Sequence, residues 1–156
     1  MTGPIKSNKG FSLVELIIVI AIMAVLVAVL APVYLKYVEQ SKVTTDTEIA
    51  SAVHDALAVA IADENIDERP LDGFAVSPLS LDDLGDSTKM GKPYTEFVSS
   101  VKNFLQTDDL STIRSGLKSK HYKGQNIMLE IDGTTQSVTV TVPAISGVAD
   151  DDLVIQ

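Results

Sequence analysis

Cysteine and tryptophan are both absent from this sequence of 156 residues. The lack of cysteine excludes a disulfide framework, a thiolate zinc site and a cysteine nucleophile. Basic residues are also scarce, since 12 Lys and Arg stand against 21 Asp and Glu, for a formal net charge of -9. Surfaces that bind nucleic acid need clustered Lys and Arg for the phosphates, so this balance argues against nucleic acid as the main partner.

Histidine and aromatic residues are few as well. His54 and His121 lie far apart, and neither stands in an HExxH or GxSxG pattern. We therefore predict no catalytic residue, no metal site and no cofactor, and a protein that is not an enzyme. We interpret His54 as an ordinary residue on a helix face.

The sequence does contain one long uncharged run, residues 16–35, in which every residue but Pro32 is apolar. A helix of 20 residues is about 30 Å long, which is enough to cross the hydrocarbon core of a membrane. Lys6 and Lys9 precede the run without any acidic residue. The positive-inside rule then predicts that this end stays in the cytoplasm and that the bulk of the chain faces outward.

Two simpler interpretations of the run fit less well. A secretory signal peptide has an apolar region of about 7–15 residues and a small-x-small cleavage site, and this run is longer and has no such site after it. A plain membrane anchor does not explain Glu15, a carboxylate inside the apolar segment that starts at Phe11. Ile18 and Val19 stand where a helical partner would, so we expect the partner of Glu15 to come from another molecule.

Residues Lys9-Gly10-Phe11-Ser12-Leu13-Val14-Glu15 resemble the processing motif of type IV pilins and the related pseudopilins. The resemblance implies that a membrane peptidase cuts after Gly10 and that Phe11 becomes the N-methylated first residue of the mature chain. It also implies that Glu15 pairs with the Phe11 amine of a neighbouring subunit. A wrong register would leave both charges buried and unpaired.

The resemblance further implies that the apolar helix forms the core of a filament. Pro32 removes one backbone hydrogen bond, and we expect a continuous, kinked helix in the monomer and local melting before Pro32 in a filament. We expect assembly to depend on Glu15 and Pro32 and also on the apolar residues Leu16, Val19 and Met23.

Helical spacing continues beyond the apolar run. Ile49, Val53, Leu57 and Ala60/Ile61 recur on one face, which predicts that the helix reaches Asp63 to Asn65, over about 53 residues. Asp46, Glu48, Ser51 and Asp55 fall on the other faces, where we expect solvent. The predicted organisation is a leader (1–10), a membrane or filament-core half (11–35), a soluble half of the same helix (36–64) and a globular head (65–156).

The sequence of the head predicts both helices and strands. Residues 78–84 are compatible with one or two helical turns, Tyr94 to Leu105 have helical spacing, and residues 108–118 are a weaker helix candidate. Residues 126–142 alternate with a period of two around Asp132-Gly133, which predicts a hairpin, and Leu153 to Ile155 add an edge strand. The predicted fold is α+β and pilin-like, a long helix packed on an antiparallel sheet of about three strands.

Three other clusters are interpreted conservatively. Asp63, Asn65 and Asp67 open a calcium-loop pattern that then fails at Glu68 and Phe74, so we predict a solvated helix end. Asp150 to Asp152 are a second calcium candidate, as in a pseudopilin-like head, but we interpret them as a soluble C-terminal segment. Lys118, Lys120 and Lys123 form a basic cluster around His121 and Tyr122, which we interpret by default as a solvated loop. Of two functional interpretations, contact with an acidic face of a neighbouring subunit is favoured over binding of DNA, because an acidic protein repels DNA.

These features predict a structural subunit of a type IV pilus for adhesion or motility. Its partners would be identical subunits, the prepilin peptidase and methyltransferase, the assembly machinery and, before assembly, membrane lipid. It would move from the cytoplasmic membrane to the cell surface. The alternatives are a pseudopilin of a type II secretion or competence system and a membrane-anchored binding module that never polymerises.

Overall fold

A computed structural model of the chain describes residues 10–67, 69–70, 78–92, 94–148 and 151–156. Its first element is α1, a helix of 50 residues from Leu13 to Ala62. The chain divides into two compact units, one ending at Val38 and the other covering Glu39–Gln156. α1 therefore contributes residues to both units.

In the first unit, α1 is apolar and exposed. All of its large apolar side chains from Leu13 to Leu35 are at least half exposed. Pro32 lies inside the helix without ending it. A helix that is apolar on every side is one that lipid or other helices surround.

In the second unit, short helices and strands follow the end of α1. They are β1 (Leu79–Ser80), a 3-10 turn (Leu81–Asp83), α2 (Ser87–Met90), α3 (Thr95–Phe104), α4 (Ser111–Arg114), β2 (Met128–Asp132), β3 (Ser137–Val142) and β4 (Leu153–Ile155). The strands form one antiparallel sheet in the order β1-β2-β3-β4. The α+β, pilin-like fold is thus confirmed, with four strands where the sequence predicted about three.

The predicted hairpin is the centre of this sheet. Leu129 pairs with Val140 and Ile131 with Val138, and all four side chains are buried. The alternation of apolar and polar residues directs them to one face. The predicted edge strand is confirmed as β4, which pairs with β3.

The second half of α1 supplies the other side of the core. Val53, Leu57 and Ile61 are fully buried, in one cluster with Phe97 and Val101 of α3 and the inward side chains of β2 and β3. The helical stripe predicted from the sequence is confirmed. α1 ends at Ala62, slightly before the predicted end, because the Asp63 carboxylate accepts hydrogen bonds from the Asn65 backbone and side-chain amides in a tight turn.

Asp46 corrects one expectation from the sequence. It was predicted to face solvent, but its side chain is fully buried. Its two oxygens accept hydrogen bonds from the backbone amides of Lys118 at 2.8 Å and Ser119 at 3.0 Å. Two donors on a loop 72 and 73 residues further along the chain compensate for the burial, and no local pattern indicates them.

Two further differences concern the head. Residues 78–84 contain β1 before the 3-10 turn because Leu79 pairs with Leu129 on the edge of β2. The candidate helix at residues 108–118 is reduced to α4, since the amides of Lys118 and Ser119 bind Asp46 instead of helical carbonyls. The helix predicted between Tyr94 and Leu105 is confirmed as α3.

Candidate processing and assembly site

The start of α1 is fixed by Ser12 and Glu15. The Ser12 hydroxyl accepts a hydrogen bond from the Val14 amide at 3.3 Å, and Glu15 Oε2 accepts one from the Ser12 amide at 2.9 Å. This reciprocal pair is a capping box, in which side chains satisfy amides that have no helical partner. The negative charge of Glu15 also lies in the first turn, where the helix dipole stabilises it.

The capping box gives Glu15 a backbone partner within the chain, beside the charged partner that the sequence predicts in another molecule. Within the described residues, Glu15 Oε2 is bonded to the Ser12 amide and no hydrogen bond or ion pair is recorded for Oε1. The carboxylate is exposed. Glu15 therefore has an intrachain partner and still has an oxygen available for a second one.

The predicted cleavage position lies just outside the helix. Gly10 and Phe11 are exposed and not helical, and the Phe11 side chain is 96% exposed. An exposed peptide bond outside a helix is open to a protease, whereas a helical one first has to unwind. The capping box thus leaves the Gly10–Phe11 bond accessible in the chain.

The residues predicted for assembly lie along the exposed part of α1. Leu16, Val19 and Met23 follow one another at i, i+3 and i+7, and each is more than half exposed. α1 is long and apolar enough to cross a membrane. Pro32 follows this stretch within the same helix.

Neither calcium candidate is assembled as a metal site. Asp63 is bonded to Asn65, and these hydrogen bonds, with a smaller contribution from Arg69, lower the pKa of its carboxyl. The Asp152 carboxylate accepts the Ala144 amide at 2.7 Å, and Asp150 lies outside the described residues. No group of three or more His, Asp or Glu within reach of one metal ion exists among the residues that the structure describes.

Comparison with known proteins bears on this N-terminal segment. The sequence model of the family described as the prokaryotic N-terminal methylation motif matches residues 5–31. A fimbrial protein of Pseudomonas aeruginosa is 41% identical over 56 residues, which are 36% of each chain. Fimbrial protein Q of Moraxella bovis is 32% identical over 96 residues, 62% of this chain and 59% of its own length.

The first part of this chain is similar to the N-terminal segments of fimbrial proteins. The matches confirm the resemblance to type IV pilins that the sequence indicates. The matched regions span between about a third and three fifths of the fimbrial relatives. No solved structure matches the chain.

Sequence reasoning missed two residues of this chain. Ser12 is the N-cap of α1, and the pattern Ser-x-x-Glu before an apolar run was the signal that indicated it. Asp46 connects α1 to the loop at residues 118–119. Its only sequence signal is an acidic residue next to the apolar stripe, which is too common to be informative.

Proposed function

We propose that this chain is the structural subunit of a type IV pilus. A peptidase would hydrolyse the Gly10–Phe11 bond on the cytoplasmic side of the membrane, and the new Phe11 amine would be methylated. The subunit would then leave the membrane by packing its apolar helix among the helices of identical subunits. The function is mechanical, and the chemistry is performed on the chain by other proteins.

One observation carries this proposal, namely the motif KGFSLVE followed directly by an exposed apolar helix. In a lipid anchor alone an uncharged glutamine could make the same cap, whereas a carboxylate has a cost of about 2.5–3.5 kcal/mol at the bilayer centre and less near its surface. In a bundle of parallel helices the same carboxylate has a use. It specifies which register of neighbouring subunits pairs both charges.

Hydrolysis would change what surrounds Glu15. It leaves a carboxyl group on Gly10 and a protonated amine on Phe11, and it removes the basic residues Lys6 and Lys9. In the unassembled chain Glu15 bonds the Ser12 amide. On assembly its free oxygen would receive the Phe11 amine of a neighbouring subunit, so the cap and the ion pair are compatible.

Mass spectrometry of the N-terminus tests the processing step. The chain is expressed in a host that has a prepilin peptidase, and the membrane and sheared fractions are analysed separately. We expect a chain that begins at Phe11 and carries the added mass of one methyl group. A chain that begins at Met1, or at Val33 or beyond, would contradict the proposal.

Shearing tests the assembly step and separates a pilus from a pseudopilus. We expect long detached fibres in the supernatant, detected with an antibody to the head and by electron microscopy. A chain cut after Gly10 that stays with the cells in short structures would favour the pseudopilin alternative. A processed chain that remains monomeric would favour the anchored binding module.

A further inference from the structure

Three exposed lysines lie on one short loop of the head, residues 118–123, which we call the basic loop. Lys118, Lys120 and Lys123 are all exposed. Within the described residues, the recorded ion pairs involve Lys42, Lys89, Arg114 and His54 and none of these three lysines. Among the residues that the structure describes, the basic loop thus presents three ammonium groups without an ion-pair partner, on a protein with a net charge of -9.

The backbone of the basic loop is held against α1. Asp46 binds the amides of Lys118 and Ser119, and Glu39 binds the amide of Lys120. The Tyr122 amide donates to the Ser119 hydroxyl at 3.3 Å. A fixed loop loses less conformational entropy when it binds than a mobile one, so its lysines are preorganised for a partner.

Acidic side chains collect at the far end of α1, on a surface that we call the acidic end. They are Asp63, Glu64, Asp67 and Glu96. Glu96 accepts a hydrogen bond from the Asp67 amide at 3.3 Å, which brings α3 to this end. The nearby Arg69 donates to the Ile61 carbonyl at 3.0 Å, and no ion pair is recorded among the described residues for any of the four carboxylates.

The two charged surfaces lie at different heights along α1. The basic loop is held at Glu39 and Asp46, and the acidic end begins at Asp63. Asp46 and Asp63 are 17 residues apart (63 minus 46), which is about 25 Å of helix. One head therefore carries opposite charges at two levels. Two different complementary surfaces on one subunit generate a ring if the rotation between subunits closes and an open helical polymer if it does not.

We propose that the basic loop of one copy contacts the acidic end of the next copy along the fibre. The inference rests on the proposed pilus function, because it needs copies stacked with parallel helices. In such a stack, the basic loop of one head, which lies nearer the N-terminal end of α1, meets the acidic end of the head below it. Three ammonium groups then face four carboxylates, which fixes the axial register of the heads as Glu15 fixes that of the helices.

A second copy fits the basic loop better than an external polyanion. Acidic residues outnumber basic ones 21 to 12, so a polymer of phosphates would meet overall repulsion. The surroundings of the loop are also partly acidic, since burial and then the charges of Asp151 and Asp152 raise the pKa of the Tyr122 phenol. A second copy in a fixed orientation places only its acidic end against the basic loop and keeps its other acidic residues away from the acidic surroundings of the loop.

Charge reversal in the full chain tests this contact. The loop variant is Lys118→Glu with Lys123→Glu, and the end variant is Glu64→Lys with Asp67→Lys, positions whose side chains have no recorded hydrogen bond or ion pair. We expect each variant alone to yield about tenfold less sheared fibre than the parent chain, because like charges then face each other at every contact. Lys92→Glu with Lys102→Glu is the matched control for net charge and is expected to assemble as the parent does.

Combining the changes gives the decisive result. A chain with all four substitutions has opposite charges at the contact again, so its fibre yield is expected to recover. Cells that express the loop variant and the end variant together are expected to form mixed fibres, since each defective surface meets its complement. Parent fibres are expected to release subunits more readily in detergent at about 1 M salt, where charges are screened beyond about 3 Å.

The outcomes separate this inference from the proposed function. If the parent chain is cut after Gly10 and forms fibres, and the loop variant forms them equally well, the contact is overturned and the pilus function stands. A loop variant that assembles normally but no longer binds polyphosphate would assign the loop to an external polyanion and overturn the contact too. If the parent chain forms no fibre at all, the proposed function fails first, and the contact fails with it.

Discussion

The two halves of α1 have the same backbone and opposite surroundings. Up to Tyr37 the large apolar side chains are exposed, whereas from Glu39 onward an apolar stripe is buried against the head. A helix with one apolar stripe buries it against a single partner surface. A helix that is apolar on all sides needs an apolar environment on every side. The head therefore completes the second half of α1 within the chain, and the first half requires lipid or other subunits.

One hydrogen-bonded carboxylate from each half, Asp46 and Glu15, repeats the contrast. Asp46 is buried, and both of its oxygens are bonded to backbone amides of the same chain. Glu15 is exposed, and within the described part of the chain only its Oε2 accepts a hydrogen bond. The first carboxylate is used within the monomer, and the second is available for assembly.

Glu15→Gln separates the cap from the charge and should have the largest effect. A glutamine oxygen still accepts the Ser12 amide, so the start of α1 is kept. A neighbour's amine would be left buried without a counter-charge, at about 3–5 kcal/mol, so we expect sheared fibre to fall by about 100-fold or more. Immunoblotting of the sheared fraction measures it, with the exposed Glu48→Gln as control, and an undiminished yield would contradict the role given to Glu15.

Asp46→Ala tests the other carboxylate. The change leaves the amides of Lys118 and Ser119 buried without acceptors, so we expect a loss of about 3 kcal/mol or more in the free energy of unfolding of the head. Hydrogen exchange of the β2 and β3 amides in the detergent-solubilised chain measures it. Glu48→Ala, which changes an exposed carboxylate on the same helix, is expected to have almost no effect.

Leucine truncation compares the two halves with the same side chain. Leu57→Ala removes a fully buried side chain and should destabilise the head by about 2–5 kcal/mol. Leu16→Ala removes an exposed one and should change the free energy of unfolding of the head by less than about 0.5 kcal/mol. Denaturant unfolding of both variants in detergent tests this, and equal losses would show that the halves are not independent.

Much of this fold could be predicted because its signals are local. The apolar run, the stripe from Val53 to Ile61 and the alternation in β2 and β3 each follow from one short stretch of sequence. β1 and the short α4 could not be predicted in this way, since both depend on contacts with distant residues. A pairing edge or a buried acceptor overrides weak local propensities.

The candidate site divides in the same manner. Gly10, Phe11 and Glu15 stand in one motif, so the sequence indicates them together, and Ser12 belongs to a short capping pattern within it. The anchoring of the basic loop joins Glu39 and Asp46 to amides more than 70 residues away. Backbone amides carry no residue-specific signal, which is why only the structure reveals this connection.

Gly116→Ala probes a smaller feature of the second half, its close approach to α4. A Cβ at this position would lie 3.0 Å from the Ile113 carbonyl oxygen and 3.0 Å from Ile49 Cδ1 on α1. The carbonyl is backbone and cannot easily move, so we expect a loss of about 1–2 kcal/mol in the free energy of unfolding of the head. Ser111→Ala on the exposed side of α4 is the control, and equal stability of the two variants would mean that the turn adjusts freely.

Acid should weaken the head slightly through its exposed turns, the smallest effect we expect. Hydrogen bonds, first from the Thr134 amide and then from Thr135, lower the pKa of the Asp132 carboxyl from its ordinary value of 3.8. Similar hydrogen bonds within turns lower the pKa of the carboxyls of Asp63, Asp86 and Asp109. For a lowered pKa the stabilisation is complete above the ordinary value and is lost as the pH falls through the folded-state pKa.

We therefore expect the free energy of unfolding to be level from about pH 6 to 5 and to decline below pH 4. Asp132→Asn keeps an oxygen that can accept the Thr134 amide but removes the titration, so its decline should be shallower than that of the parent chain. Denaturant unfolding in detergent at pH 6, 4 and 3 measures both slopes. Parallel slopes would show that Asp132 contributes nothing to the acid response and that the hairpin is held by the buried face of β2 and β3 alone.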